Sequence, residues 1–213
     1  MVLIQNGLKI KEIYMENQDK IFKLITEKWF PTTIGIIDCP FLNEVKTEYL
    51  NIVSKLKYTE NGFCDYYIHN DIRFIKLNNW IKEQVNKYAE LHKFKHIYEA
   101  KDSWVIDYPL NIGQPFHCHN GYTISVCFFL DGDTNDVPLI FKNPVQDMKN
   151  PLDINSKNAH LSGNLFNEFT NQRCVYTPLS GRLIIFRSHS EHGVDPKKTL
   201  HKRIIFSYNF DPI

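Results

Sequence analysis

From about residue 97 onward the sequence becomes a series of short β-branched and aromatic segments: SWVIDYPL, YTISVCFFL, VPLIFKNP, RLIIFR and HKRIIFSYNF. Each is bounded by Gly, Pro, Asp or Asn, residues that end strands and open turns. Successive short strands bury their apolar faces by packing sheet on sheet or by closing into a small barrel. The last segment also alternates. Arg203, Ile205, Ser207 and Asn209 share one face of an extended chain, and Ile204, Phe206, Tyr208 and Phe210 share the other.

The first hundred residues read differently. MENQDKIFKLITEKWF predicts a helix from the spacing of Ile21, Phe22, Leu24, Ile25 and Trp29, and Pro31 stops it. TTIGIID predicts a strand. PFLNEVKTEYLNIVSKLK puts Leu42, Val45, Tyr49, Leu50, Val53 and Leu56 on one helical face. NNWIKEQVNKYAELHKF does the same with Trp80, Ile81, Val85, Tyr88 and Leu91. These helices are expected to buttress a sheet. The expected class is mainly β with flanking helices (α+β). No repeat or linker divides it, so residues 1–213 are read as one domain: a helix-rich supporting region over 1–96 and a β core over 97–213. The polar stretch between Asn143 and Tyr176 is too long for a turn and is expected to be disordered or to fold over a substrate.

Composition removes several functional classes. A 43% hydrophobic content over 213 residues supports a real core. A net charge of +1 gives no general basic excess for nucleic acid. No apolar run is long enough to span a membrane, and the N-terminus lacks a cleavable signal pattern. The five cysteines, Cys39, Cys64, Cys118, Cys127 and Cys174, are scattered and form no CxxC. That spacing favours reduced thiols in a cytoplasm over a disulfide framework.

The chemistry starts at GQPFHCHNGY. On an extended segment His117 and His119 point to the same face and converge on one ion, or they form a polar pair closing a loop. Downstream, SGRLIIFRSHSEHGVDP presents His189 and His192 after a strand. A third imidazole would complete one face of an octahedron and leave three positions open, the arrangement of non-haem iron oxygenases. His192 is preferred over His189 because of the segment beyond it, which carries Arg203. Arg203 on a half-buried strand needs an anion, either a bidentate ligand carboxylate or an internal Asp or Glu. Ser207 on the same face adds a hydroxyl.

Taken in order, His117-Cys118-His119, His192 and Arg203 resemble the iron(II)- and 2-oxoglutarate-dependent oxygenase superfamily. DYPLNIGQPFHCH is similar to the Tyr-loop-Gly-loop-His segment of its prolyl-hydroxylase-like branch, with Tyr108 and Gly113 in those places. PLSGRLIIF, His192 and RIIFSYN resemble the oxygenases of this type in bacteria and marine phages. The likeness covers roughly residues 100–210. It implies a double-stranded β-helix (jelly roll) core. It also implies Fe(II) on His117, His119 and His192, and 2-oxoglutarate bound by Arg203 with Tyr108 and Ser207. Dioxygen would then drive oxidative decarboxylation to succinate and hydroxylation of a peptidyl substrate, prolyl among the candidates, or of a small molecule. The place implied is the cytoplasm of a bacterium or of a phage-infected host.

The chain departs from the superfamily pattern at His119, where a carboxylate is usual. Three neutral imidazoles leave a site one charge more positive. Asp131 and Asp133 lie too far along the strand to substitute, and Glu191 is expected to point away. Two other readings compete. A cupin-like three-histidine enzyme would carry a Glu shortly after His-x-His, where this chain has NGYTIS. A non-catalytic β-sandwich would need neither the histidines nor Arg203. Trp104, Phe129 and Phe186 are expected to form an apolar wall, or plain core. Cys118 is expected to be an inert buried thiol, and Asn111 and Gln114 to touch substrate or cap a loop. Lys197-Lys198 is expected to be a solvated turn.

Overall fold

The computed structural model describes residues 13–17, 20–24, 32–144 and 173–213. The chain divides into two compact units, Met1–Thr32 and Thr33–Ile213. In the first, β1 (Ile13–Asn17) and β2 (Lys20–Leu24) pair antiparallel, with Ile13 opposite Leu24 and Met15 opposite Phe22. The helix expected over this stretch is therefore replaced by a hairpin as far as it is described. Ile13, Met15, Phe22 and Leu24 also fit a two-residue period in matched register, which a short helical stripe does not exclude. Ile25, Trp29 and Pro31 lie outside the described residues.

In the second unit the order is β3 (Ile34–Asp38), α1 (Leu42–Ile52), β4 (Phe63–Cys64), α2 (Ile75–Leu91) and β5 (Tyr98–Asp107). Then come β6 (Gln114–His117), β7 (Ile124–Asp131), β8 (Leu139–Lys142) and β9 (Arg173–Tyr176). The chain closes with β10 (Arg182–Arg187), β11 (His192–Val194) and β12 (Ile204–Pro212). Six strands form one sheet in the order β3-β10-β7-β12-β5-β4, and four form a second in the order β6-β11-β8-β9. Every pairing is antiparallel. The fold is the jelly roll with flanking helices.

The larger sheet is buried on both sides, which explains why its strands read as nearly unbroken apolar runs. Alternate residues divide between two cores. Val126, Phe128, Leu183, Ile185, Phe206 and Tyr208 pack toward the helices with Val45, Tyr49, Leu77 and Ile81. Ile106, Cys127, Phe129, Ile184, Phe186 and Ile205 face inward and meet Leu139, Phe141 and Val194 of the smaller sheet. Phe206 centres the outer core, with ring centroids 6.0 Å from Tyr49, 5.5 Å from Phe74 and 6.2 Å from Phe128. Such pairs add about 0.5–1.5 kcal/mol each beyond area burial. The buried Tyr208 hydroxyl donates to Asn78 Oδ1 at 3.0 Å.

Both expected helices of this unit form, but their outer edges differ from the expected stripe. Leu50 is 69% exposed and Leu91 82%, while Ile52, Leu77 and Ala89 are buried in their stead. The centres of both stripes, Val45 and Tyr49 in one helix and Ile81, Val85 and Tyr88 in the other, are buried as expected. Most of the polar stretch 143–176 lies outside the described residues, His160 included. Its end is not loop: Arg173–Tyr176 is β9, paired with β8 through Leu139↔Tyr176.

One glycine fixes how closely the smaller sheet's neighbours approach. A Cβ on Gly113 would sit 2.4 Å from the Val194 carbonyl oxygen and 2.8 Å from the Pro196 nitrogen. No other residue lets the chain entering β6 lie this close to the chain leaving β11. This contact brings the end of β6 beside the start of β11.

Candidate metal centre

His117 ends β6 and His192 opens β11, and the two are direct cross-strand partners. His119 lies two residues further on, in the turn toward β7. Its backbone N–H donates to the Ser188 carbonyl at 2.9 Å, which ties the turn to the end of β10. His192 in turn pairs with Phe141 of β8. One ligand-type nitrogen from each of the three rings falls in a group no more than 4.8 Å across. Among the described residues this is the one such group of three or more.

Each ring has its Nδ1 committed to an acceptor. His117 Nδ1–H donates to the Pro115 carbonyl at 2.9 Å, and His192 Nδ1–H to the Ser190 carbonyl at 2.9 Å. His119 Nδ1–H donates to Asn209 Oδ1 at 2.6 Å, with Ser125 Oγ at 3.0 Å. Neutral imidazole carries one proton, so these partners place it on Nδ1 and leave Nε2 as a lone pair in all three. His117 Nε2 and His119 Nε2 then face each other at 3.2 Å with no proton between them. Two nitrogens about 2.1 Å from one ion and at a right angle would be about 3.0 Å apart. The spacing fits a shared cation and is unfavourable without one.

Burial favours the neutral form of His119 and His192. It lowers the His119 pKa, partly opposed by the Asn209 hydrogen bond. It lowers that of His192 to about 3, against the Ser190 carbonyl and with help from the two neighbouring imidazoles.

A cavity opens beside the rings. Trp104, Ile106, Tyr108, Gln114, Leu139 and Ser207 line it together with the three histidines. Arg203 stands at the entry to β12, six residues before Asn209, and is 0% exposed. Its guanidinium lies 5.4 Å from the Tyr108 ring and 5.8 Å from the Phe129 ring. Nη1 donates to the Val137 carbonyl. Nε and Nη2 are buried without a partner. That pair of N–H groups is one edge of the guanidinium fork, matched to a carboxylate. Asp136 Oδ2 is the nearest internal anion, 4.0 Å from Nη1. An orphaned bidentate edge fits the carboxylate tail of a dicarboxylate.

The structure thus brings together His117, His119, His192, Tyr108 and Ser207, with Arg203 behind Tyr108. His189 is exposed and outside the cluster. Asp131 pairs with Lys46 at 3.0 Å, Asp133 with His201 at 3.2 Å, and Glu191 with Lys142 at 2.5 Å. Phe129 and Phe186 are fully buried; Phe186 packs 4.7 Å from His192. Cys118 is half-buried and donates to the His189 carbonyl at 3.2 Å. Asn111 turns the chain at φ 64°, its N–H on the Lys197 carbonyl.

Lys197 corrects the sequence reading. It is 4% exposed, and its Nζ donates to the Tyr108 carbonyl at 3.0 Å. Nothing in KK followed by TL marks that burial; only the approach of 109–112 to 195–197 creates it. Asn209 and Ser125, which hold the His119 tautomer, also escape sequence reasoning. The alternation of β12 puts Asn209 on the Arg203 face, and that is the available signal.

Residues 102–209 match the family model described as "Putative 2OG-Fe(II) oxygenase". No curated protein matches the chain by sequence. Solved structures share its fold at low identity. A Pseudomonas putida prolyl-4-hydroxylase is 11% identical, with 85% of this chain and 94% of that one covered and a TM-score of 0.59. HygX from Streptomyces hygroscopicus, with nickel and 2-oxoglutarate bound, is 11% identical over 85% and 83% at 0.58. A Trichoplax adhaerens prolyl hydroxylase, in complex with a hypoxia inducible factor peptide fragment, is 16% identical over 84% and 83% at 0.52.

Proposed function

Because the chain belongs to the 2OG-Fe(II) oxygenase family, an enzyme family that uses Fe(II) and 2-oxoglutarate, we propose that it is a hydroxylase whose iron is held by His117, His119 and His192. The observation that carries this reading is the convergence of three Nε2 lone pairs, each fixed by an acceptor on the opposite nitrogen. Iron, 2-oxoglutarate and dioxygen together supply the oxidation, which releases succinate and carbon dioxide and hydroxylates a substrate C–H bond.

The chain's own residues do the rest. Arg203 receives the distal carboxylate of 2-oxoglutarate on its free Nε and Nη2 edge. Tyr108 and Ser207 line the cavity, where their hydroxyls would meet the cosubstrate. Burial holds the Tyr108 phenol protonated, so it serves as a donor. Asn209 and Ser125 hold the His119 ring. Trp104, Ile106 and Leu139 exclude water from the space between. With His119 in the place of a carboxylate, the site carries one more positive charge, which the cosubstrate's own charge offsets. Arg203 favours this reading over a cupin-like enzyme, which has no use for a buried fork aimed at an anion.

The substrate is proposed to be a peptidyl residue, proline among the candidates, or a small molecule; the prolyl hydroxylases that share the fold support the peptidyl side. The five free cysteines support a reducing compartment such as the cytoplasm of a bacterium or of a phage-infected host. No helix among the described residues is long and apolar enough to cross a membrane.

Anaerobic titration of the protein with Fe(II) and then 2-oxoglutarate tests the assignment. A visible metal-to-ligand charge-transfer band is expected, and on aeration slow succinate release without added substrate. Folded protein that gives neither band nor succinate would remove the assignment.

A further inference from the structure

We propose that Asp136 and Lys197 are opposed positioning charges that set how tightly the Arg203 end of the cavity holds a dicarboxylate, Asp136 loosening that hold and Lys197 strengthening it. The proposal rests on the reading of Arg203 as the partner of the cosubstrate's distal carboxylate.

Asp136 is buried, with its side chain 1% exposed. Its Oδ1 accepts from the Val137 N–H at 2.8 Å. Its Oδ2 has no hydrogen-bond partner and stands 4.0 Å from Arg203 Nη1. A pair serving the fold alone would close to about 2.8 Å and satisfy both groups. Here the gap stays open because each member is held by the same dipeptide. The Val137 N–H holds the carboxylate, and the Val137 carbonyl takes Nη1. The carboxylate therefore acts on the guanidinium as a field and leaves its Nε and Nη2 edge free.

Lys197 supplies the counterweight. Its Nζ is pinned on the backbone carbonyl of Tyr108, the residue whose ring lies 5.4 Å from the Arg203 guanidinium. Asp136, Asp107 and Arg203 are the charges it senses. Around Arg203 the structure thus sets one buried carboxylate, Asp136, 4.0 Å from Nη1, and one further buried cation, Lys197. An arriving carboxylate adds one negative charge to this poorly screened cluster. Its affinity then depends on which fixed charge is nearest.

The test uses Asp136→Asn and Lys197→Met. Binding of glutarate to metal-free protein is measured by calorimetry. Binding of 2-oxoglutarate and of 2-oxopentanoate, which lacks the distal carboxylate, is measured anaerobically on the Fe(II) protein. Asp136→Asn should tighten both dicarboxylates about tenfold and Lys197→Met should loosen them about tenfold, with 2-oxopentanoate moving less than about twofold, because a fixed charge acts on the group that carries the opposing or like charge. Loss of a merely structural contact would loosen binding in both variants. Looser or unchanged dicarboxylate binding in Asp136→Asn, or an equal shift for 2-oxopentanoate, overturns the proposal. If Asp136→Asn does not fold, Lys197→Met decides alone, and unaltered dicarboxylate affinity overturns it. If the Fe(II) protein binds no 2-oxo acid, the hydroxylase assignment fails while the glutarate arm still decides this one.

Discussion

Replacing His192 by alanine should give a folded protein that no longer retains iron at micromolar concentrations. His192 is the most buried of the three rings, at 3% exposure, and joins the two strands that frame the site through Phe141 and His117. Partners that only orient a ligand are worth about 10–100-fold in metal affinity. Removing the ligand itself should exceed that, while Asn209→Ala, which frees His119 without deleting it, should fall within it. Iron retention after gel filtration and succinate release would rank wild type above Asn209→Ala above His192→Ala. Near-ultraviolet circular dichroism checks that each variant is folded. Equal iron retention in His192→Ala and wild type would move the metal elsewhere.

Arg203→Met should separate cosubstrate binding from metal binding. Two charge-assisted hydrogen bonds at about 1.5–3 kcal/mol each put the expected loss of 2-oxoglutarate affinity at about a hundredfold or more. Iron affinity should hold, because the neighbours of the Arg203 guanidinium among the described residues, Val137, Asp136, Tyr108 and Phe129, include none of the three ligand histidines. The charge-transfer band should therefore need far more 2-oxoglutarate, yet appear with iron still bound. Stability adds a second reading. The variant leaves the buried Asp136 without its nearest cation, and an uncompensated buried charge is destabilising. Adding Asp136→Asn to Arg203→Met should recover part of the lost melting temperature. A variant that keeps its 2-oxoglutarate affinity would show that the free guanidinium edge faces another anion.

Much of this arrangement is legible in the sequence, for identifiable reasons. The two-residue alternation of HKRIIFSYNF assigns Arg203, Ser207 and Asn209 to the cavity face and Phe206 and Tyr208 to the helix face, and the cores divide along that line. His-x-His brings two rings to one place, and the distal histidine opens a strand that starts beside them. Local pattern carries these features because each depends on period and order. What it does not carry depends on distant chain approach. Asp136 stands in DGDTNDVP, where no period marks it, and Lys197 in a lysine pair expected to be a solvated turn. Both are buried because separate loops close over the Arg203 end. The pairing of Ile13–Asn17 with Lys20–Leu24 escapes the pattern for a different reason: a short amphipathic run satisfies helical and strand periods alike.

The most direct test of the metal site is X-ray absorption at the iron edge, on protein loaded anaerobically with Fe(II) and 2-oxoglutarate. An imidazole multiple-scattering signature fitted by three histidine nitrogens at about 2.1 Å is expected, one of them lost in His119→Ala. A fit with two or fewer imidazoles in wild type, or a spectrum that His119→Ala leaves unchanged, would contradict the three-histidine site.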